Sequence, residues 1–273
     1  MKFLRIAILF TIIFSVGFAR VFAQNSEYKT ASAFTRITTN MLGYNFIAKK
    51  IAQGVLKKTL KKTADGEYKV KFDSFSGVDL KKGKFRGLTI QGENISAENC
   101  IYITKLNMQT TSDFHYVDYK KDPMIFKTDL PFEYQVEIDE NDLNKTFAFG
   151  DTFEMLTSLI PLMRVEKPKL TIENQKIRIK SSLKMPFAKP IKFSMSAGLK
   201  VENGKIVLTD VVSSGSNDFA SKLINIINER NLLNDINLSI FKNTETKASV
   251  NTINIKDKRI YIDGNFVIKK TES

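Results

Sequence analysis

Near Glu67 the spacing of apolar residues changes from a period of about 3.6 to about 2, and that switch limits which architectures the chain can adopt. Before it, from about Ala33 to Lys62, Phe34, Ile37, Met41, Tyr44, Ile47, Ile51, Val55 and Leu60 recur at the spacing of one helical face. After it, Tyr68, Val70 and Phe72 alternate, then Ile101 and Ile103, and later Phe132, Tyr134, Val136 and Ile138, as in half-buried strands. The expectation is one long N-terminal amphipathic helix followed by strands. Gly43 and Gly54 inside that helix mark a bend or a close approach of another element.

The second half reads as antiparallel meanders. Leu170 to Ile172 and Ile177 to Ile179 flank one short polar turn, and Leu199 to Val201 and Ile206 to Leu208 flank another that contains Asn203-Gly204. A third hairpin is expected around Lys256-Asp257-Lys258, between Val250, Ile253, Ile255 and Ile260, Ile262, Phe266, Ile268. Two further helices are predicted, from Asn141 to about Ile160, where Pro161 stops it, and from Ser216 to about Leu233. Helices thus punctuate runs of strands instead of alternating with them, which points to the α+β class and a mainly antiparallel, curved sheet. No Walker loop and no Gly-x-Gly-x-x-Gly turn occurs, which argues against a nucleotide-binding parallel sheet.

The N-terminus calls for separate treatment. Lys2 and Arg5 precede an apolar run from Ile6 to Ala19, and Val21-Phe22-Ala23 follows, so residues 1–23 read as a secretory signal peptide and 24–273 as one domain. Retention as an uncleaved anchor is the other reading of the same segment. No cysteine stands directly after the run, which excludes bacterial lipoprotein anchoring. Cleavage after Ala23 removes Lys2, Arg5 and Arg20 and no acid from a formal charge of +13, leaving +10. An exported, strongly basic protein meets anionic lipid, glycan or cell wall more readily than nucleic acid, so no nucleic-acid partner is expected.

Few residues are available for chemistry. With one cysteine, Cys100, and one histidine, His115, the chain cannot close an internal disulfide or build a His/Cys metal cage. Asp113, His115 and Asp118 sit beside Tyr116, Tyr119, Lys120 and Lys121 in an expected loop, where a lone histidine is expected to be exposed and the tyrosines and lysines could touch a membrane interface. Asp139, Glu140 and Asp142 open a helix and read as capping groups, with Asp142 and Asn144 holding the fold. No catalytic residue, metal ligand or cofactor is assigned.

Three stretches in order resemble a known family. Gly83-Lys84-Phe85-Arg86-Gly87-Leu88-Thr89-Ile90-Gln91-Gly92-Glu93-Asn94-Ile95 looks like its early strand pair. Gln135-Val136-Glu137-Ile138-Asp139-Glu140-Asn141-Asp142-Leu143-Asn144 looks like its strand running into an acidic helix start. A helix ending near Leu232-Leu233-Asn234 and a terminal hairpin from Val250 to Asp263-Gly264 complete the pattern. The chain therefore resembles the LmeA-like phospholipid-binding proteins over roughly Tyr28 to Ile268, although Ser239 to Ser249 lacks the family's usual proline step. The resemblance implies a non-enzymatic lipid-binding protein of the bacterial envelope, with a helix-plus-curved-sheet build like that of tubular lipid-binding domains.

On that reading acyl chains lie between the first helix and the sheet, against Phe34, Ile37, Met41, Tyr44, Ile47, Ile51 and Val55. Lys49, Lys50, Lys57, Lys58, Lys61 and Lys62, otherwise a solvated face, draw the protein to phospholipid headgroups at an anionic membrane surface. Two other readings remain open: an accessory module that binds an envelope protein or anionic glycan, and an enzyme on lipid or glycan, for which no polar active centre is visible.

Overall fold

The structure is a computed structural model that describes residues 29–41, 43–97, 101–119, 125–149, 164–165, 168–184, 189–214 and 246–271. The expected signal peptide, the Ser216–Leu233 helix, Cys100, Lys120 and Lys121 lie outside the described residues. Helices α1 (Ala33–Met41) and α2 (Tyr44–Thr63) run into strand β1 (Ala64–Asp73). The short α3 (Gly77–Lys81) and β2 (Lys84–Phe85) lead to β3 (Gly87–Ala97) and β4 (Tyr102–Thr110). Then come β5 (His115–Asp118), β6 (Ile125–Phe126), β7 (Leu130–Asp139) and α4 (Glu140–Phe149). The remainder is strand: β8 (Arg164–Val165), β9 (Lys169–Glu173), β10 (Lys176–Lys184), β11 (Ile191–Glu202), β12 (Lys205–Ser214), β13 (Thr246–Lys256) and β14 (Arg259–Ile268). The protein is α+β with antiparallel sheets.

The larger sheet has the order β1-β3-β4-β7-β14-β13, the second β12-β11-β10-β8 with β9 also on β10, and a small third sheet is β2-β5-β6. All three expected hairpins form. Their two-residue turns, Asn174-Gln175, Asn203-Gly204 and Asp257-Lys258, each place both residues at positive φ, the geometry whose twist matches the flanking strands. The core of the larger sheet is built from β7 and β14, where Phe132, Tyr134, Val136, Ile260, Ile262, Phe266 and Ile268 are buried. Gly264 makes room there: a Cβ would lie 2.1 Å from Ser249 O and 2.7 Å from Tyr134 Cζ, while the Tyr134 hydroxyl donates to Ser249 O at 3.1 Å.

Helix α4 ties the sheets together. The Asn144 amide accepts from Leu170 N and donates to Leu170 O, both at 2.8 Å, and Glu140 Oε2 accepts from Ile172 N at 2.8 Å, so two side chains pair with strand β9 as a neighbouring strand would. Asp139 Oδ1 caps the helix by accepting from Asp142 N at 2.7 Å, and Asp142 accepts from Thr104 Oγ1 at 2.8 Å and pairs with Lys145 at 2.7 Å. A second tie is Val250 N donating to Gly204 O at 2.9 Å, which docks the tip of the β11–β12 hairpin on β13.

Two expectations about the first helix are corrected. The continuous helix from Ala33 to Lys62 is divided at Gly43, which adopts a left-handed φ of 68° that other residues adopt only at a cost. Gly54 marks nothing comparable, since α2 continues through it and a Cβ there would meet no atom within 4 Å. The face that packs also differs. Ala48 is buried, and Tyr44, Ala52, Leu56 and Leu60 pack on the core, a row at i, i+4 spacing that winds slowly around the helix. Gly77 of α3 sets the contact, because a Cβ there would lie 2.8 Å from Tyr44 Cδ1 and 3.0 Å from Asn45 Cα.

His115 is a third correction. It opens a strand instead of sitting in an exposed loop, its relative exposure is 0%, and its ring centroid lies 5.1 Å from that of Phe85. Burial pushes its pKa down from the ordinary histidine value, partly opposed by backbone hydrogen bonds at Ser112 and Asp129 and by the charge of Asp113.

Candidate membrane-contact site

The sequence of α1 and α2 contains no acidic residue, and its cations are Arg36, Lys49, Lys50, Lys57, Lys58, Lys61 and Lys62. Lys50, Lys58, Lys61 and Lys62 are exposed, and Lys49 and Lys57 are half-buried. Of the apolar residues expected against the sheet, Phe34 is 77% exposed, Ile37 60%, Met41 84%, Ile47 52% and Val55 38%. They face outward, not into a space between helix and sheet. Tyr44 and Ile51 are half-buried, and burial raises the Tyr44 pKa. Phe46, 63% exposed, joins the outward group, with Lys50 Nζ 4.6 Å from its ring centroid. Sequence reasoning missed Phe46 because it falls two residues after Tyr44, off the expected face.

What holds this apolar layer in place is polar and buried. Asp79, 1% exposed, accepts from Ala31 N at 2.6 Å and from Ser76 Oγ at 2.6 Å, and lies 3.7 Å from Arg36 Nε. Lys84, 5% exposed, donates to Lys29 O at 3.0 Å, with Nζ 4.7 Å from the Tyr116 ring centroid. Asn45 Oδ1 accepts from Gly77 N. The backbone preceding α1 is thus gripped by two charged side chains from the α3–β2 region, which fixes the start of α1 on the body. Burial raises the pKa of Tyr119, whose hydroxyl donates to Lys81 O, to about 12.

An open cleft of about 470 Å³ lies elsewhere, on the second sheet, lined by Lys180, Ser181, Ser182, Lys192, Phe193, Ser194 and Ser214. None of the residues expected to bind lipid lines it. Among the described residues no group of three or more His, Cys, Asp or Glu side chains is placed to hold a metal ion, and no helix is long and apolar enough to cross a membrane. Compared with protein-family models, curated proteins and solved structures, the chain matches none.

Proposed function

We propose that this protein binds phospholipid and works at the surface of an anionic membrane, with α1 and α2 as the contact. The observation that carries the reading is the outward group Phe34, Ile37, Met41, Phe46 and Ile47 on helices that hold seven cations and no acid. Large contiguous apolar exposure is a recognition feature, and an apolar stripe beside basic side chains suits the interface of an anionic bilayer. Each lysine near the surface contributes about 1 kcal/mol, weakening with salt. The resemblance to LmeA-like proteins, export to the cell envelope, a binding role without turnover, and a curved sheet akin to tubular lipid-binding domains belong to the same proposal. In it, acyl chains meet the outward residues first, and Tyr44 and Ile51 form the inner edge of the layer.

The test is co-sedimentation of protein purified without detergent with vesicles of phosphatidylcholine, with and without phosphatidylglycerol. Wild type sediments with the anionic vesicles and is released by salt. Phe34→Ser with Met41→Ser weakens that binding by at least about tenfold, since burying one large apolar side chain is worth roughly 1.5–3 kcal/mol. Unchanged binding by the double variant removes the helices from the contact. Solvent extraction and mass spectrometry of the same protein separate a carrier, which brings stoichiometric phospholipid, from a surface binder, which brings none. The cleft bearing Lys180 and Lys192 favours a second reading, an accessory module for anionic glycan or a partner protein, which predicts salt-sensitive binding to an anionic polysaccharide and none to vesicles.

A further inference from the structure

On the outer face of the second sheet, lysines stand beside one another around small hydroxyl side chains. Residues paired in register share a face, so Lys169, Lys180, Ser194 and Ser214 form one row across β9, β10, β11 and β12, and Ser182 and Lys192 belong to the next row. The opposite face carries Ile179, Phe193 and Met195, which are buried. Lys180 and Lys192 thus occupy opposite corners of a block of four residues, with Ser182 and Ser194 at the other two, a diagonal of roughly 7–8 Å. Lys169, Lys180, Lys192 and Ser214 are exposed, and Ser182 and Ser194 are half-buried. The block forms much of the open cleft of about 470 Å³.

This placement works against stability. Lys169 directly opposes Lys180, and like charges at opposed positions of a sheet repel. Among the described residues no carboxylate lies within ion-pair distance of Lys169, Lys180 or Lys192. The acids of β9 to β12 are engaged elsewhere or set apart. Glu173 pairs with Arg178 at 2.9 Å and Glu202 with Lys200 at 2.5 Å, while Asp210 sits beside Gly198 at the irregularity of the β11–β12 pairing. A charge cluster that the fold does not balance is a place where a sequence departs from what stability favours, and such departures mark functional sites.

The lining decides among anionic ligands. Ser182, Ser194 and Ser214 carry hydroxyls that both donate and accept, as the hydroxyls of a sugar do. No exposed large apolar side chain is among the lining residues: Phe193 is 2% exposed, and the exposed Ile191 and Val212 lie outside the cleft. A peptide added as a strand needs a free edge, whereas β10 and β11, which carry Lys180 and Lys192, are each paired on both sides.

We infer that this cleft binds an acidic glycan, with Lys180 and Lys192 paired to its anionic groups and the serine hydroxyls to its sugar hydroxyls. The inference rests on the glycan arm of the second reading above, to which it adds the ligand class and the residues. It is independent of what α1 and α2 meet.

The experiment is calorimetric titration of the purified protein with polygalacturonate, with poly-glutamate and neutral dextran as comparisons. The proteins are wild type, the double variant Lys180→Gln with Lys192→Gln, Ser194→Ala, and Lys58→Gln on α2. Wild type binds polygalacturonate in a salt-sensitive manner and does not bind dextran. The double variant lowers that affinity about fivefold or more, Ser194→Ala lowers it about twofold or more, and Lys58→Gln leaves it unchanged. Removing Lys180 relieves its repulsion with Lys169, so the urea midpoint of the double variant equals or exceeds that of wild type. An equal loss in Lys58→Gln and the double variant overturns the site and leaves the glycan reading standing. Wild type that does not bind polygalacturonate overturns both. Poly-glutamate bound as tightly through the same lysines, or no loss in Ser194→Ala, overturns the glycan assignment, and the first of these makes an acidic protein the partner.

Discussion

The larger sheet and the N-terminal helices treat their apolar residues in opposite ways. Along β7 the alternation in sequence is an alternation in burial: Leu130, Phe132, Tyr134 and Val136 are buried, while Glu133 and Gln135 are exposed. β14 behaves the same way, with Ile260, Ile262, Gly264, Phe266 and Ile268 inward. In α1 and α2 an equally regular apolar spacing puts Phe34, Ile37, Met41 and Ile47 toward solvent. Periodicity states which residues share a face; what that face meets is decided by the neighbouring elements. In the sheet, pairing in register sets Leu130, Phe132, Tyr134 and Val136 beside Ile268, Phe266, Gly264 and Ile262 on one common face. Against α2 the neighbours are β1 and the close backbone of α3, and these select the row Tyr44, Ala48, Ala52, Leu56 and Leu60.

The largest effect is expected at the most crowded point of the sheet. Gly264→Ala forces a methyl group against Ser249 O and Tyr134, and Ser249 O is a backbone atom that cannot rotate away. Either the β13–β14 register opens or the Tyr134 hydroxyl leaves Ser249 O. The loss should exceed about 3 kcal/mol, measured by urea unfolding with an unchanged m-value. A loss under about 0.5 kcal/mol would mean that the sheet yields as easily as the helical layer, and the contrast between the two regions would collapse.

An intermediate effect is expected between the two regions. Phe85 touches Phe72 of β1 at 5.4 Å between centroids and touches His115 on its other contact, so the histidine is buried where the small sheet meets the larger one. Because burial lowers the folded-state pKa of His115, the unfolded chain binds the proton more readily. Stability should therefore be undiminished above the ordinary histidine range and fall as pH drops below about 6.5 toward the folded-state value. Thermal melting across that interval should show a drop of a few degrees that His115→Gln flattens. Asp129, whose carboxyl is held below the ordinary range by Lys269, acts only at more acid pH, so the two contributions separate. A melting temperature independent of pH through the histidine range would mean that the small sheet opens freely to solvent.

How much of this was legible in the sequence follows from which interactions are local. The three hairpins were readable because Asn203-Gly204 and its two counterparts encode the turn within a few residues, and the antiparallel class followed from them. The division at Gly43 was readable as a bend, though not as a full break. The packed face of α2 was not, because Gly77 lies over thirty residues from Tyr44 and nothing near α2 announces where α3 will sit. Asp79 and His115 were hidden for a related reason: a single acid or histidine in a polar stretch looks solvated until a distant segment, Lys29 to Ala31 or Phe85, covers it. Phe34, Ile37, Met41, Ile47 and Val55 turn outward while Tyr44, expected on the same face, packs on the core, which is the error expected when periodicity is read without a partner.

The smallest effect on stability sharpens the comparison most. Phe34→Ser and Met41→Ser remove side chains that are 77% and 84% exposed, so little water-excluded apolar surface is lost and no cavity forms. Neither residue makes a hydrogen bond that serine would break through its side chain. Phe34 O accepts from Thr38 Oγ1 at 3.1 Å, a backbone contact that the substitution keeps. Each change should therefore shift the urea midpoint by no more than about 0.5 kcal/mol in stability, against several for Gly264→Ala. The same two substitutions are the ones expected to weaken vesicle binding by at least about tenfold. If they instead destabilised the protein by about 2 kcal/mol or more, the two residues would be packed in solution against another part of the chain or a second copy. The contrast would then lie between two kinds of core, and α1 would have no free face to offer a membrane.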